Sequence, residues 1–169
     1  MESTANRARV AVGRTIATAG GAGYSPFAPG TCGTAVAVPL VWLGAGLPWW
    51  AWLLITAGLT IVGIWAAAVA DGSWGTHDAG RIVIDEVAGY FVTVAAVDRA
   101  DGVTLLIGFV IFRAFDIIKP PPVRWIDREV GGGAGVVLDD VAAGVMGAAV
   151  MVGLAASGAL AAISRVIAG

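Results

Sequence analysis

Residues 47–70 read LPWWAWLLITAGLTIVGIWAAAVA. The stretch carries no charged side chain and exceeds the ~20 apolar residues that cross a bilayer as a helix. Residues 141–163, VAAGVMGAAVMVGLAASGALAAI, repeat the pattern. Both are expected to be transmembrane helices. Three more apolar segments, 32–47, 82–97 and 103–118, are shorter or interrupted, and each can cross if tilted or flanked by protein. The expected fold is all-α: an integral membrane helical bundle with about five membrane-embedded helices, in one domain over residues 1–169.

Composition agrees with that class. The chain is 58% hydrophobic and 13% charged, with mean hydropathy +0.85, whereas a soluble domain carries about 25% charged residues. A formal net charge of −2 leaves no electrostatic footprint for nucleic acid. Cys32 is the only cysteine, which excludes an internal disulfide and a cysteine-based zinc site. Residues 1–24 hold Arg7, Arg9 and Arg14 but no continuous apolar core before Gly20, which argues against a cleaved secretory signal.

Orientation follows from the basic residues. By the positive-inside rule the three arginines place the N-terminal segment 1–24 in the cytoplasm, and five crossings bring 71–81 and 119–140 to the same face. Lys119, Arg124 and Arg128 agree with this, while Arg99 and Arg165 are exceptions. Trp42, Trp49, Trp50 and Trp52 cluster where the first two helices meet, as an interfacial aromatic belt does. Asp78, Asp85, Glu86, Asp116, Asp127, Asp139 and Asp140 then converge at one membrane face.

Four clusters carry chemistry. GGAGYSPFAPGTCGT (20–34) breaks helices at Pro26, Pro29 and Gly30, with Thr31 as a candidate N-cap for a helix starting at Cys32. It reads either as a turn leading the chain into the membrane or as a loop offering N–H groups to a phosphate. In DAGRIVIDE (78–86) a helix would let Arg81 pair with Asp85 four residues on, which leaves Glu86 unexplained. His77, just before it, reads as an exposed loop residue. In FRAFDIIKPPPVRWIDREV (112–130), Arg113, Asp116 and Lys119 share one helical stripe before Pro120–Pro122 end it. With Arg124, this set suits a phosphate or, equally, anionic head groups at a membrane surface. In GGGAGVVLDDVAAG (131–144) a flexible glycine stretch leads to Asp139–Asp140 at the mouth of the last helix. Helix capping explains one of these acids. Two acidic pairs beside a basic stripe also suit Mg²⁺ and phosphoryl transfer.

Together these strings, in this order from Ser25 to Gly144, resemble the phosphatidylglycerophosphatase A family. The resemblance implies a Mg²⁺-dependent phosphatase, embedded in the bacterial inner membrane as a multi-pass protein. Its substrate would be the anionic phospholipid phosphatidylglycerophosphate, converted to phosphatidylglycerol at the cytoplasmic face. Asp85, Glu86, Asp139 and Asp140 become metal ligands, with Asp78 as a further one. Lys119, Arg124 and Thr31 bind substrate, Arg113 stabilises transition-state charge, and Asp116 or Asp127 acts as base or support. Other phosphatase chemistries lack their residues: Cys32 has no Arg six positions on, no Asp-x-Asp occurs, and His77 is the only histidine. A divalent-cation transporter or anionic-lipid binder would share the acidic pairs without needing Arg113, Lys119 and Arg124 beside them. The same chemistry on another phosphorylated lipid is a nearer alternative, since no residue visibly reads the glycerol.

Overall fold

A computed structural model describes residues 3–76 and 79–168. Helices α1 (Thr4–Ala17), α2 (Pro29–Leu43), α3 (Trp49–Trp74), α4 (Ile84–Thr93), α5 (Gly102–Ile118), α6 (Val123–Glu129), α7 (Gly132–Ala156) and α8 (Ala159–Ala168) follow in order, with a short 3-10 helix at Ala19–Tyr24. The described residues contain no β-strand. α7 is the hub and packs against α3, α4, α5 and α6; α1 lies on α3, and α2 lies on α4.

Two of these helices, α3 with 26 residues and α7 with 25, are long and apolar enough to cross a membrane. Leu53, Leu54 and Ile61 on α3 and Val145 and Val152 on α7 face outward. Exposed apolar side chains of this kind fit a membrane as neighbour. All five apolar segments of the sequence become helices, yet five crossings do not follow. The 10 residues of α4 rise about 15 Å, half the ~30 Å hydrocarbon core. Ile84, Asp85, Val87, Ala88, Gly89, Tyr90, Phe91 and Thr93 of α4 are all buried. Its apolarity serves protein packing rather than lipid contact.

The N-terminal segment is helical. Ser3 caps α1 by accepting from the Asn6 N–H at 3.2 Å. Arg14 fastens α1 to the end of α3, donating through Nε to Ser73 Oγ at 2.7 Å and through Nη2 to Ser73 O at 2.8 Å. α2 begins three residues before the expected Cys32. Pro29 takes its first turn, where a missing N–H costs nothing, and the N-cap is Ala28 in the left-handed region (φ 44°), not Thr31. α7 begins at Gly132, so the glycine run is helix rather than flexible linker. Gly133 explains why: a β-carbon there would come within 2.3 Å of Ile64 O on α3.

The tryptophan belt divides. Trp42, Trp49 and Trp50 are exposed, but Trp52 is buried in the core. It stacks on Phe91 with ring centroids 4.8 Å apart and donates to Phe91 O at 3.2 Å. Arg99, an exception to the charge rule, covers the other side of Trp52 at 4.3 Å and donates to Leu47 O at 3.0 Å. That pins the turn after α4 to the turn before α3.

Candidate active site

The crossing of α4 and α7 sets the site. A β-carbon on Gly144 would lie 2.3 Å from Gly89 O, and one on Gly89 would lie 2.6 Å from Asp140 O. Both positions must be glycine for the backbones to approach so closely. Asp85 lies four residues before Gly89, and Asp140 four before Gly144, so each acid stands one turn from the contact on the same face. Asp85, Glu86 and Asp140 consequently present carboxylate oxygens that all lie within 4.8 Å of one another. Asp85 and Asp140 are buried, and Glu86 is half-buried. Asp85 Oδ1 accepts from the Glu86 N–H at 3.0 Å.

α5 supplies the opposing charge. Arg113 Nη1 is 2.8 Å from Asp116 Oδ2 and 3.6 Å from Glu86 Oε1. Neither contact is aligned as a hydrogen bond, and buried Nε and Nη1 have no hydrogen-bond acceptor. Glu86 Oε2 and Asp140 Oδ2 are likewise buried without a donor. Buried carboxylate oxygens and guanidinium donors left without hydrogen-bond partners are costly unless a ligand supplies them. Oxygen-only ligands of this kind fit a hard divalent cation. The Arg113 guanidinium, with its buried Nε lacking an acceptor, fits an oxyanion. The first turn of α2 lies against the same residues, with Gly30 set against Glu86 and Arg113.

The remaining expected residues divide between this centre and its surroundings. Asp139, adjacent to Asp140 but turned about 100° round the helix, points to Lys119 instead. Lys119 Nζ lies 2.8 Å from Asp139 Oδ2 and 2.5 Å from Asp127 Oδ1, tying α5, α6 and α7 together. Burial alone would lower the Lys119 pKa, but these two carboxylates outweigh it and hold the ammonium above its ordinary value. Arg124 donates to Ile118 O at 3.4 Å, at the end of α5. Thr31 is half-buried in the first turn of α2, next to Gly30. Arg81 precedes α4 and stacks on Trp74 at 4.7 Å, so it does not pair with Asp85. Asp78 and His77 lie outside the described residues. Sequence reasoning named Gly30 only as a helix breaker and did not single out Gly89; the spacing of Gly89 and Gly144 from the acids was the available signal.

Acids and a guanidinium, carried by helices with apolar outer faces, fit the class of phosphoric monoester hydrolases. The sequence profile of the phosphatidylglycerophosphatase A family matches residues 15–155. Phosphatidylglycerophosphatase A of Escherichia coli (strain K12) is 40% identical over 131 residues, covering 78% of this chain and 76% of its own. That of Haemophilus influenzae is 35% identical over 130 residues, covering 74% and 77%. A Bacteroides thetaiotaomicron protein, whose name of phosphatidylinositol-3-phosphatase is provisional, is 42% identical over 138 residues, covering 77% and 85%. No solved structure matches the chain. The chain belongs to the phosphatidylglycerophosphatase A family.

Proposed function

We propose that the protein is a Mg²⁺-dependent phosphatase of the bacterial inner membrane that hydrolyses phosphatidylglycerophosphate to phosphatidylglycerol and phosphate. One observation carries the reading: three carboxylates within 4.8 Å of one another, beside Arg113, whose buried Nε has no acceptor. The names of the E. coli and H. influenzae relatives support the substrate.

Asp85, Glu86 and Asp140 hold the cation, with Asp78 and, through the Oδ1 that Lys119 leaves unpartnered, Asp139 as further ligands. Bound there, Mg²⁺ supplies Lewis acidity and offsets the charge of the phosphate. Arg113 takes phosphate oxygens and stabilises charge that grows in the transition state. The first turn of α2, with Thr31, adds backbone N–H groups toward the same anion. Water oxygen bonds to phosphorus, the bond from phosphorus to the glycerol oxygen breaks, and the departing oxygen takes up the proton that the attacking water has given to Asp116, leaving as a hydroxyl. Asp116, paired to Arg113, is the acid placed to accept the water proton. Asp127, committed to Lys119, supports Asp139. Arg124 meets the incoming head group, and Lys119, bridged to Asp127 and Asp139, offers its remaining donor to it.

α2, α3, α4, α5 and α7 are membrane-embedded, with α4 as a half-length helix enclosed by the others, and the site opens to the cytoplasm. Gly63 supports this depth: a β-carbon there would be 3.5 Å from Ile84, which begins the acidic turn. Gly63 lies about 21 Å along α3 from Trp49, roughly two-thirds of the way through a ~30 Å core.

A second reading, the same hydrolysis of another phosphorylated lipid, is favoured by the name of the Bacteroides relative. The test is phosphate release by purified protein from phosphatidylglycerophosphate and phosphatidylinositol 3-phosphate, each with Mg²⁺ or with chelator. Release from the first, abolished by chelator, is expected. Release from the second alone selects the second reading, and cation flux in vesicles without release from either overturns both.

A further inference from the structure

Between α2 and α5 lies an apolar groove of about 390 Å³, lined by Ala35, Val38, Gly102, Leu106 and Phe109. Val38 and Phe109 are half-buried and form its floor, while Ala35 and Leu106 stand exposed at its edges. The lining offers no charged or hydrogen-bonding side chain.

The groove is in phase with the site. Gly102, Leu106, Phe109, Arg113 and Asp116 recur at spacings of three and four, so they share one stripe of α5. Thr31, Ala35 and Val38 share one stripe of α2 by the same rule. Both stripes change from apolar to polar at the same level, Arg113 one turn beyond Phe109 and Thr31 one turn before Ala35. There Gly30 meets Glu86 and Arg113. From Arg113 to Gly102 the helix rises about 16 Å, roughly half a ~30 Å hydrocarbon core.

We propose that this groove seats one acyl chain of the phospholipid substrate and thereby holds the phosphorylated head group against Arg113. The inference rests on the reading of the protein as a lipid phosphatase. An extended peptide would need partners for its backbone N–H and C=O groups, and the lining provides none. Hydrocarbon needs no such partners, and one leaflet's acyl chain has the required length. Because the groove competes with surrounding lipid, which is equally apolar, it acts through position rather than affinity. A chain seated on the Leu106–Phe109 stripe delivers its head group to the next residue of that stripe, Arg113.

Leu106→Trp and Ala35→Trp narrow the groove, and Leu54→Trp, at a lipid-facing position of α3 that is 66% exposed, serves as control. In detergent micelles, kcat/KM is measured on dipalmitoyl phosphatidylglycerophosphate and on the dibutanoyl analogue with the same head group. Both groove variants are expected to lose about tenfold on the long-chain lipid and stay within about twofold on the short one, since small misplacements of a reacting group are costly. Leu54→Trp should match the wild type on both. Equal rates on the long-chain lipid, or equal losses on both substrates in variants that melt like the wild type, overturn the proposal. Independently, a substrate lipid with a photoreactive acyl chain should label residues 102–109 and 35–38 of the wild type, and labelling confined elsewhere also overturns it. A wild type that hydrolyses neither substrate refutes the phosphatase reading instead, so the two failures are distinct.

Discussion

A β-carbon on Gly30 would stand 2.0 Å from Glu86 Oε1 and 3.1 Å from Arg113 Nη1. Only hydrogen fits, so the first turn of α2 acts as a wall of the acidic centre. Gly30→Ala should push Glu86 off its position and lower kcat by about 10²-fold, the scale of a 1 Å misplacement. The fold should survive, because the residue sits in the first turn of a helix. Phosphate release and thermal melting check this; a normal kcat would mean that Glu86 shifts freely.

Glu86 and Asp140 each carry a buried oxygen without a donor. Glu86→Gln and Asp140→Asn keep shape but remove charge. Each should cut Mg²⁺-dependent phosphate release at least about 100-fold while leaving the melting temperature in metal-free buffer unchanged or raised, since mutual repulsion among the acids is relieved. Full activity in both variants would remove these residues from the centre.

Lys119 bridges Asp127 and Asp139. Lys119→Met leaves the Asp139 carboxylate buried and unpaired, a loss of roughly 1–3 kcal/mol. Adding Asp139→Asn should restore part of that loss, because the two sites are coupled. Denaturant unfolding in detergent of the two single variants and the double variant measures the coupling; strict additivity would show that the bridge contributes nothing.

Asp101 caps α5 by accepting from the Val103 and Thr104 N–H groups, each at 3.2 Å, and its carboxylate also accepts from the Ser164 hydroxyl on α8. The Ser164 and Thr104 hydroxyls hold its pKa below the ordinary carboxylate value. A depressed pKa stabilises the fold above the ordinary carboxylate range, and the contribution fades as pH falls through the folded-state value. Asp101→Asn should therefore flatten the acid limb of a melting-temperature profile while keeping the helix cap, since asparagine caps as well as aspartate.

Much of this arrangement is legible in the residues. Uncharged runs mark the positions of α3 and α7, and the convergence of distant acids follows from chain reversals between apolar segments. What misleads is glycine and proline. Pro29 and Gly133 read as breakers, yet one occupies the turn where proline is tolerated and the other permits contact with α3. Misplacing the start of α7 put Asp139 and Asp140 at a helix mouth as a pair. Within a helix adjacent residues diverge, so Asp140 meets α4 while Asp139 meets Lys119. Local composition also cannot tell lipid from protein as the neighbour of an apolar segment, which is why α4 passes for a crossing and Trp52 for part of a belt.

The Gly89–Gly144 contact also governs how the chain can change in length. Each glycine lies four residues from the acid it serves. Inserting one residue between Glu86 and Gly89, or between Asp140 and Gly144, would swing the carboxylates by about 100° around their helix axis. These two intervals are thus indel-intolerant. The turns at 44–48 and 94–101, which contribute no acid to the cluster, can lengthen at far smaller cost to the chemistry.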